Sequence, residues 1–390
     1  KPVYNSFLKK VSSHANEEIY QSNLVDQSAL SANKEKNKGP SNTKKINYLD
    51  EIRKQGPEFE KSQLISTEDI ILIEKNKALD YTMVYYFNSY GVPFSSFFKP
   101  DGVLTRTERQ GSHFADINAT IYTDGPKLSP LTEQIIKGLA AQPTLSNDRV
   151  FVTSQSDKKI STISPVLKFD LKDDRFDQLQ VFYYLNKSFQ WMKEQLQVQI
   201  PVKIEAVVHV GFPEKTNSAF YFQNKIRLGR GDDINYSNIM HDASIVYHES
   251  FHALIDQLAR LPYEGEGGSL NEGFADFFTC LLTERPYLGE SSYLKGPYKR
   301  SLQLLRRLDE KNGGLYHDSQ IFSGLLWEVK EKIGFDKAKT LAVETLILLN
   351  ELSKFSDFNA KILIAANEIL SKEELTLFHQ ILKSRGFAYE

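Results

Sequence analysis

The chain has 390 residues, 41% apolar and 25% charged, the proportions of an ordinary globular protein, which exclude wholesale disorder, a collagen-like rod and a coiled-coil rod. Lys+Arg 48 against Asp+Glu 50 gives a net charge of −2, so there is no global basic field to hold nucleic acid. One cysteine, Cys280, excludes an internal disulfide and any cysteine-based zinc site.

No run of roughly 18 apolar residues is present, so no transmembrane helix is expected. The most apolar stretch, 341–349, is interrupted by Glu344 and reads as a buried helix. The first residue is Lys1 and no leader is visible. The expected location is secreted or periplasmic, with cytoplasmic as the alternative.

Residues 1–57 are polar and lysine-rich, and 31–45 holds almost nothing to bury. This segment is expected to be an N-terminal extension on the surface. From 58 to 165 the pattern predicts a β-rich region, with the look of a pro-like domain. Residues 81–87 are β-branched and aromatic; a turn at 88–91 and a second strand from Val92 complete a hairpin signal. Further strands are predicted at 119–122, 149–153 and 165–169, and a short amphipathic helix at 131–139.

The region 166–390 reads as one further domain. A long helix is predicted at 173–196, then strands at 202–210 and 220–228. Helical periodicity dominates afterwards, at 242–260, 270–283, 298–308, 319–333, 337–349, 358–369 and 372–385. The fold class is α+β, with a mixed β-rich lobe, a mainly helical C-terminal lobe and a cleft between them.

The strongest chemical signal is His248-Glu249-Ser250-Phe251-His252. On a helix, residues four apart share a face, so both imidazoles can grip one tetrahedral zinc. Glu249 falls beside them, within reach of a coordinated water. The plain alternative is an amphipathic helix whose histidines cap a core edge. A second helix from Leu270 puts Glu272 and Asp276 one turn apart. Glu272 can be the third ligand, and Asp276 can accept the outer N–H of a ligand histidine.

His-Glu-x-x-His, then nineteen residues, then Glu272 preceded by Asn271 and followed by Asp276, resembles the thermolysin-like zinc metalloproteases of the gluzincin clan. The resemblance implies one zinc, held by His248, His252 and Glu272, and a peptide-bond hydrolase with Glu249 as general base. It implies an oxyanion-stabilising role for Tyr263. Asn217, Ser218 and Ala219, followed by 228–232, are similar to the family's substrate-binding edge strand and Gly-x-Gly-Asp turn; Ser218 replaces an Asn there. Ile239 and Ile245 fall where the resemblance implies a pocket for the residue after the cleaved bond, so a hydrophobic preference is expected. Filling the core is the equal alternative for both. Asn312-Gly-Gly-Leu-Tyr-His317 is similar to the family's Asp-Asn-Gly-Gly-x-His segment with one residue inserted, which makes His317 the candidate for the histidine that hydrogen-bonds the tetrahedral intermediate. Ser244 stands where the family has a calcium-binding aspartate, and the helix after Glu272 lacks the acidic cluster, so the paired calcium site is not expected. The implied partner is a peptide or protein substrate.

Two other readings stand beside this one. A zinc aminopeptidase would use a similar trio, but its Gly-x-Met-Glu-Asn segment is absent. A weak or inactive protease-like binding protein would draw support from Ser218 and the altered His317 loop. Of the remaining histidines, His14 and His113 lie in polar segments, His209 reads as a satisfied buried residue, His241 as a helix cap, and His379 lies on a late helix. The sequence does not specify an oligomeric state.

Overall fold

The computed structural model describes residues 8–12, 18–22, 47–74, 77–87, 93–109, 114–140, 145–160 and 166–388. The expected turn at 88–91, the polar stretch 31–45, and His14 and His113 lie outside them. The chain falls into two compact units, Lys1–His113 and Phe114–Glu390. Among the described residues no helix is long and apolar enough to cross a membrane.

In the first unit, β1 (Leu8–Ser12) and β2 (Glu18–Ser22) pair antiparallel. A short helix α1 (Tyr48–Arg53) precedes an antiparallel meander of β3 (Gln63–Glu74), β4 (Lys77–Phe87), β5 (Pro93–Phe98) and β6 (Leu104–Arg109). Val84 and Tyr86 share one face of β4 because side chains alternate along a strand. They bury against Phe98 and against Ile52 and Phe59.

The second unit begins with β7 (Phe114–Tyr122) paired antiparallel to β8 (Leu131–Ala140) and parallel to β10 (Val166–Leu167). The helix expected at 131–139 is therefore a strand. Its helical spacing is outweighed by backbone pairing with β7, broken only by a register shift near Lys137 and Gly138, and Gly138 within it would weaken a helix. A four-stranded sheet follows in the order β12-β13-β11-β9, with β9 (Val150–Ser154), β11 (Ile204–Val208), β12 (Ala219–Phe222) and β13 (Lys225–Leu228). The single strand expected at 220–228 is a hairpin, turned at Gln223 and Asn224, both in left-handed backbone. β12 is the edge of this sheet.

Helix α2 (Asp174–Gln195) starts at Asp173, whose side chain caps the Arg175 N–H, and buries Phe176, Leu179, Phe182, Leu185, Phe189 and Met192. Helices α3 (Ala243–Leu258) and α4 (Gly265–Thr283) form the centre of the unit. Around them stand α5 (Leu315–Ile333), α6 (Phe335–Ile347), α7 (Phe355–Ile369) and α8 (Lys372–Ser384). One continuous apolar core joins sheets and helices. The helix expected at 298–308 does not form. Arg300–Ser301 (β15) pairs antiparallel with Tyr287–Leu288 (β14), which holds Arg300 in extended backbone.

A buried polar network ties α2 to the start of α3. Asp177 accepts hydrogen bonds from His209 Nε2 at 2.9 Å, His241 Nε2 at 2.6 Å, Arg230 Nη2 at 2.6 Å and Asn238 Nδ2 at 2.8 Å. Burial pushes its carboxyl up, but the hydrogen bonds from both histidines and the charges of His241 and Arg230 hold it well below the usual carboxylate range. His241 thus serves this network, and the cap of α3 is Asp242, which accepts the Ser244 N–H. The nearby carboxylates of Asp174 and Asp177 already hold the Arg230 guanidinium between them.

Candidate metal centre and catalytic cleft

α3 is buried nearly all round, so its polar face can only look into protein or into a cavity. That face carries His248, Glu249 and His252. They line a cavity of about 560 Å³ together with Glu272 from α4, Tyr263 from the connecting loop, Ala219 and Tyr221 from β12, and Arg300 from β15.

The three expected ligands converge. His248 Nε2 lies 3.1 Å from Glu272 Oε2 and 3.2 Å from His252 Nε2, and His252 Nε2 lies 3.6 Å from Glu272 Oε1. Tetrahedral zinc with bonds of about 2.0–2.1 Å separates its ligand atoms by roughly 3.3–3.4 Å. The outer nitrogens explain why the inner ones face each other. His248 Nδ1 is 2.9 Å from Asp276 Oδ1, which can only accept from it. His252 Nδ1 donates to Asn271 Oδ1 at 2.8 Å. The Asn271 amide is fixed in that sense because its Nδ2 donates to the carbonyls of Leu261 and Pro262, at 3.0 and 3.2 Å. With a proton on each Nδ1, both Nε2 atoms present lone pairs to the same point. Glu272 Oε2, buried there, has no hydrogen-bond partner. This donor set fits one zinc ion.

Electrostatics show what a metal ion would displace, since without it the same carboxylates favour a second proton on His248. Burial would pull His248 down, but the carboxylates of Glu272 and Asp276 raise it to about 10. Burial raises Glu272, yet His248 and His252 hold it down at about 2. His252 is lowered to about 4, chiefly by burial. The site is a buried knot of carboxylates that favours positive charge. Burial raises Glu249 to about 7, against the pull of His248, Arg300 and the Tyr221 backbone on the edge strand.

Asp276 is fully buried and also takes a two-pronged grip from Arg300, with Nε at 2.8 Å and Nη2 at 2.6 Å. Arg300 was missed at the sequence level because it fell inside an expected helix. Asn271 was visible only as part of a motif; its role in fixing a tautomer and the Tyr263 loop needed coordinates. Of the other expected residues, Ile239 and Ile245 line the cavity beside Leu288. Asn217 lines it too, but its amide is engaged with Asp232, donating to Oδ2 at 2.7 Å and accepting the Asp232 N–H at 2.8 Å. Ser218 is not among the lining residues; its carbonyl accepts the Gly229 N–H at 2.7 Å. His317 is not brought into the cavity. The residue before it, Tyr316, is.

The chain matches the "Zinc metalloproteinase" of Listeria monocytogenes with 28% identity over 192 residues, 44% of this chain and 37% of that protein. It matches "Bacillolysin" of Bacillus amyloliquefaciens with 27% identity over 190 residues, 44% of this chain and 36% of that protein. In structure it is similar to the precursor of protealysin, a metalloproteinase from Serratia proteamaculans, at a TM-score of 0.52 and 16% identity, covering 72% of this chain and 91% of that one. The chain is a relative of the thermolysin-like zinc metalloproteinases. No family model matches it. The matched stretch spans little more than a third of these two curated relatives. At 16% identity, the protealysin likeness speaks for the fold alone.

Proposed function

We propose that the chain is a zinc-dependent endopeptidase. The observation that carries this is the meeting of two imidazole lone pairs and an unpartnered carboxylate oxygen at one point, 3.1–3.6 Å apart, beside a buried Glu249. Zinc held by His248, His252 and Glu272 would polarise the scissile carbonyl and lower the pKa of a coordinated water to about 7.

The remaining chemistry belongs to the side chains. Glu249 takes the proton from the attacking water and hands it to the leaving amine. Its raised affinity for protons, caused by burial, suits a group that must both accept and release one near neutral pH. Tyr263, a protonated phenol kept so by burial and by Asp256, Glu249 and Glu272, donates to the oxyanion. The free edge of β12 offers backbone groups to an extended substrate. Ile239, Ile245 and Leu288 form an apolar wall that favours a hydrophobic residue after the scissile bond.

At the position of Ser244 the hydrogen bonding is self-contained. Ser244 Oγ donates to Asp242 Oδ1 and accepts the Gly289 N–H, and Asp242 Oδ2 accepts the N–H groups of Ser291 and Ser292. Asp242 thus accepts from five donors, the N–H and Oγ of Ser244, the Ser291 N–H, and the N–H and Oγ of Ser292, which do the work a cation would do and support the reading that no paired calcium site is used.

The test is metal analysis. Purified chain is expected to hold one zinc, and the double variant His248→Ala, His252→Ala to hold none. Equal zinc in both would place the metal elsewhere and end this reading.

A further inference from the structure

Tyr316 and His317 are neighbours in the first turn of α5, yet they face different surroundings. The His317 ring is engaged at both nitrogens, with Nδ1 2.9 Å from Asp318 Oδ1 and Nε2 accepting from Arg306 Nη1 at 2.7 Å. Asp318 is itself pinned, accepting the N–H groups of Asn312 and Gly313 at 3.0 and 2.9 Å. The imidazole is therefore a brace for its own loop.

Tyr316 lines the cavity with His248, Glu249, Glu272 and Tyr263. Its ring is held by the Arg300 guanidinium, 5.2 Å from the centroid. Ser319 and Gln320 bond its backbone carbonyl and anchor it in the first turn, and among the described residues none hydrogen-bonds the phenol hydroxyl, which can donate to a substrate. The helix is brought this close by a glycine. A Cβ on Gly273, the residue after Glu272, would sit 2.9 Å from the Ser319 carbonyl oxygen, so only glycine lets α4 and α5 approach to this distance. Burial and the carboxylates of Glu272, Glu249 and Asp276 push the phenol up, with Arg300 pulling the other way, so it keeps its proton at neutral pH.

Resting on the peptidase reading, we infer that Tyr316 donates a hydrogen bond to the developing oxyanion of the substrate, as the second donor beside Tyr263, in the role that the resemblance assigned to His317. The proton stays on the phenol throughout, so no bond to Tyr316 is made or broken. The residue at the fourth position after Asn312 fills the place without any insertion.

The test compares Tyr316→Phe, Tyr316→His and His317→Ala with the wild type. Cleavage of a fluorogenic peptide gives kcat and KM; calorimetry gives affinity for a phosphinic peptide, whose tetrahedral centre mimics the intermediate, and for an uncleavable ketomethylene analogue. Tyr316→Phe is expected to lower kcat on the order of 10²-fold and to weaken the phosphinic peptide comparably, with KM and ketomethylene affinity within about threefold of wild type. Tyr316→His, which keeps a donor, recovers at least about tenfold of the loss, and His317→Ala costs at least about tenfold less than Tyr316→Phe. If Tyr316→Phe keeps both kcat and phosphinic affinity within about threefold while Glu249→Ala abolishes cleavage, Tyr316 has no such role and the peptidase reading stands. A wild type that neither cleaves nor binds the phosphinic peptide overturns both.

Discussion

Each of the two proposed ligand histidines is set by a different kind of partner. His248 has a carboxylate behind it and His252 an amide, so the two rings, nearly perpendicular to each other, aim Nε2 at one point but differ in basicity. Asp276→Asn keeps the shape but removes the charge behind His248. Zinc affinity, measured by competition with a chromophoric chelator, is expected to fall by about 10–100-fold. Unchanged affinity would mean that Asp276 serves only to bind Arg300. Arg300→Leu leaves a fully buried carboxylate without its cation. A loss of about 3 kcal/mol is expected in denaturant unfolding of the zinc-free chain. A loss below about 1 kcal/mol would show that water reaches Asp276 when Arg300 is gone.

At the scale of elements, the site depends on how closely helices approach. Gly273→Ala is expected to displace α5, because the new methyl meets backbone that cannot rotate away. Destabilisation of about 1–3 kcal/mol, together with a lower kcat at unchanged zinc content, would report that displacement. Wild-type behaviour would mean that α5 relaxes freely. The Asp177 network governs how α2 meets the start of α3. Its carboxyl titrates below the unfolded value of about 3.9, so its contribution is complete above that pH and is lost as pH falls toward the folded value. Stability followed by denaturant midpoints should therefore decline below about pH 4 in the wild type, and Asp177→Asn should flatten that limb. A wild-type limb that survives the substitution would assign the acid sensitivity to other carboxylates.

What could be read in advance follows the range of the interactions. The long helix at 173–196, the metal helix and its partner came from local periodicity and spacing, and their observed bounds differ by a few residues. The failures share one cause. Residues 131–139 and 298–308 have helical spacing, but pairing with β7 and with Tyr287–Leu288 overrides it, and no local pattern reveals a partner distant in sequence. Arg300 was hidden for that reason; Tyr316 stood in view four residues after Asn312, but matching the motif histidine to His317 through an insertion passed over it. Arg300 reaches Asp276 from a strand read as helix. Tyr316 enters the cavity through a close helix approach that a single glycine allows.

For the whole molecule, the candidate metal centre lies within the unit Phe114–Glu390, where His248, His252 and Glu272 from α3 and α4 line one cavity with the edge strand β12. Zinc binding should stabilise this unit, since a ligand that prefers the folded state raises stability by RT ln(1 + [L]/Kd), about 4 kcal/mol at a thousandfold excess over Kd. Removal of the metal by a chelator should lower the melting temperature, and readded zinc should restore it. An indifferent melting curve would argue against a metal held by α3 and α4 together.

The most direct measurement pairs zinc content with cleavage of a mixed peptide library, for the wild type and Glu249→Ala. Both proteins should carry one zinc, with cleavage before hydrophobic residues in the wild type and a loss of at least about 10²-fold in the variant. Equal cleavage by the two, or a fully zinc-loaded wild type that leaves every peptide intact, would contradict the assignment of Glu249 as the proton-transferring base of a peptidase.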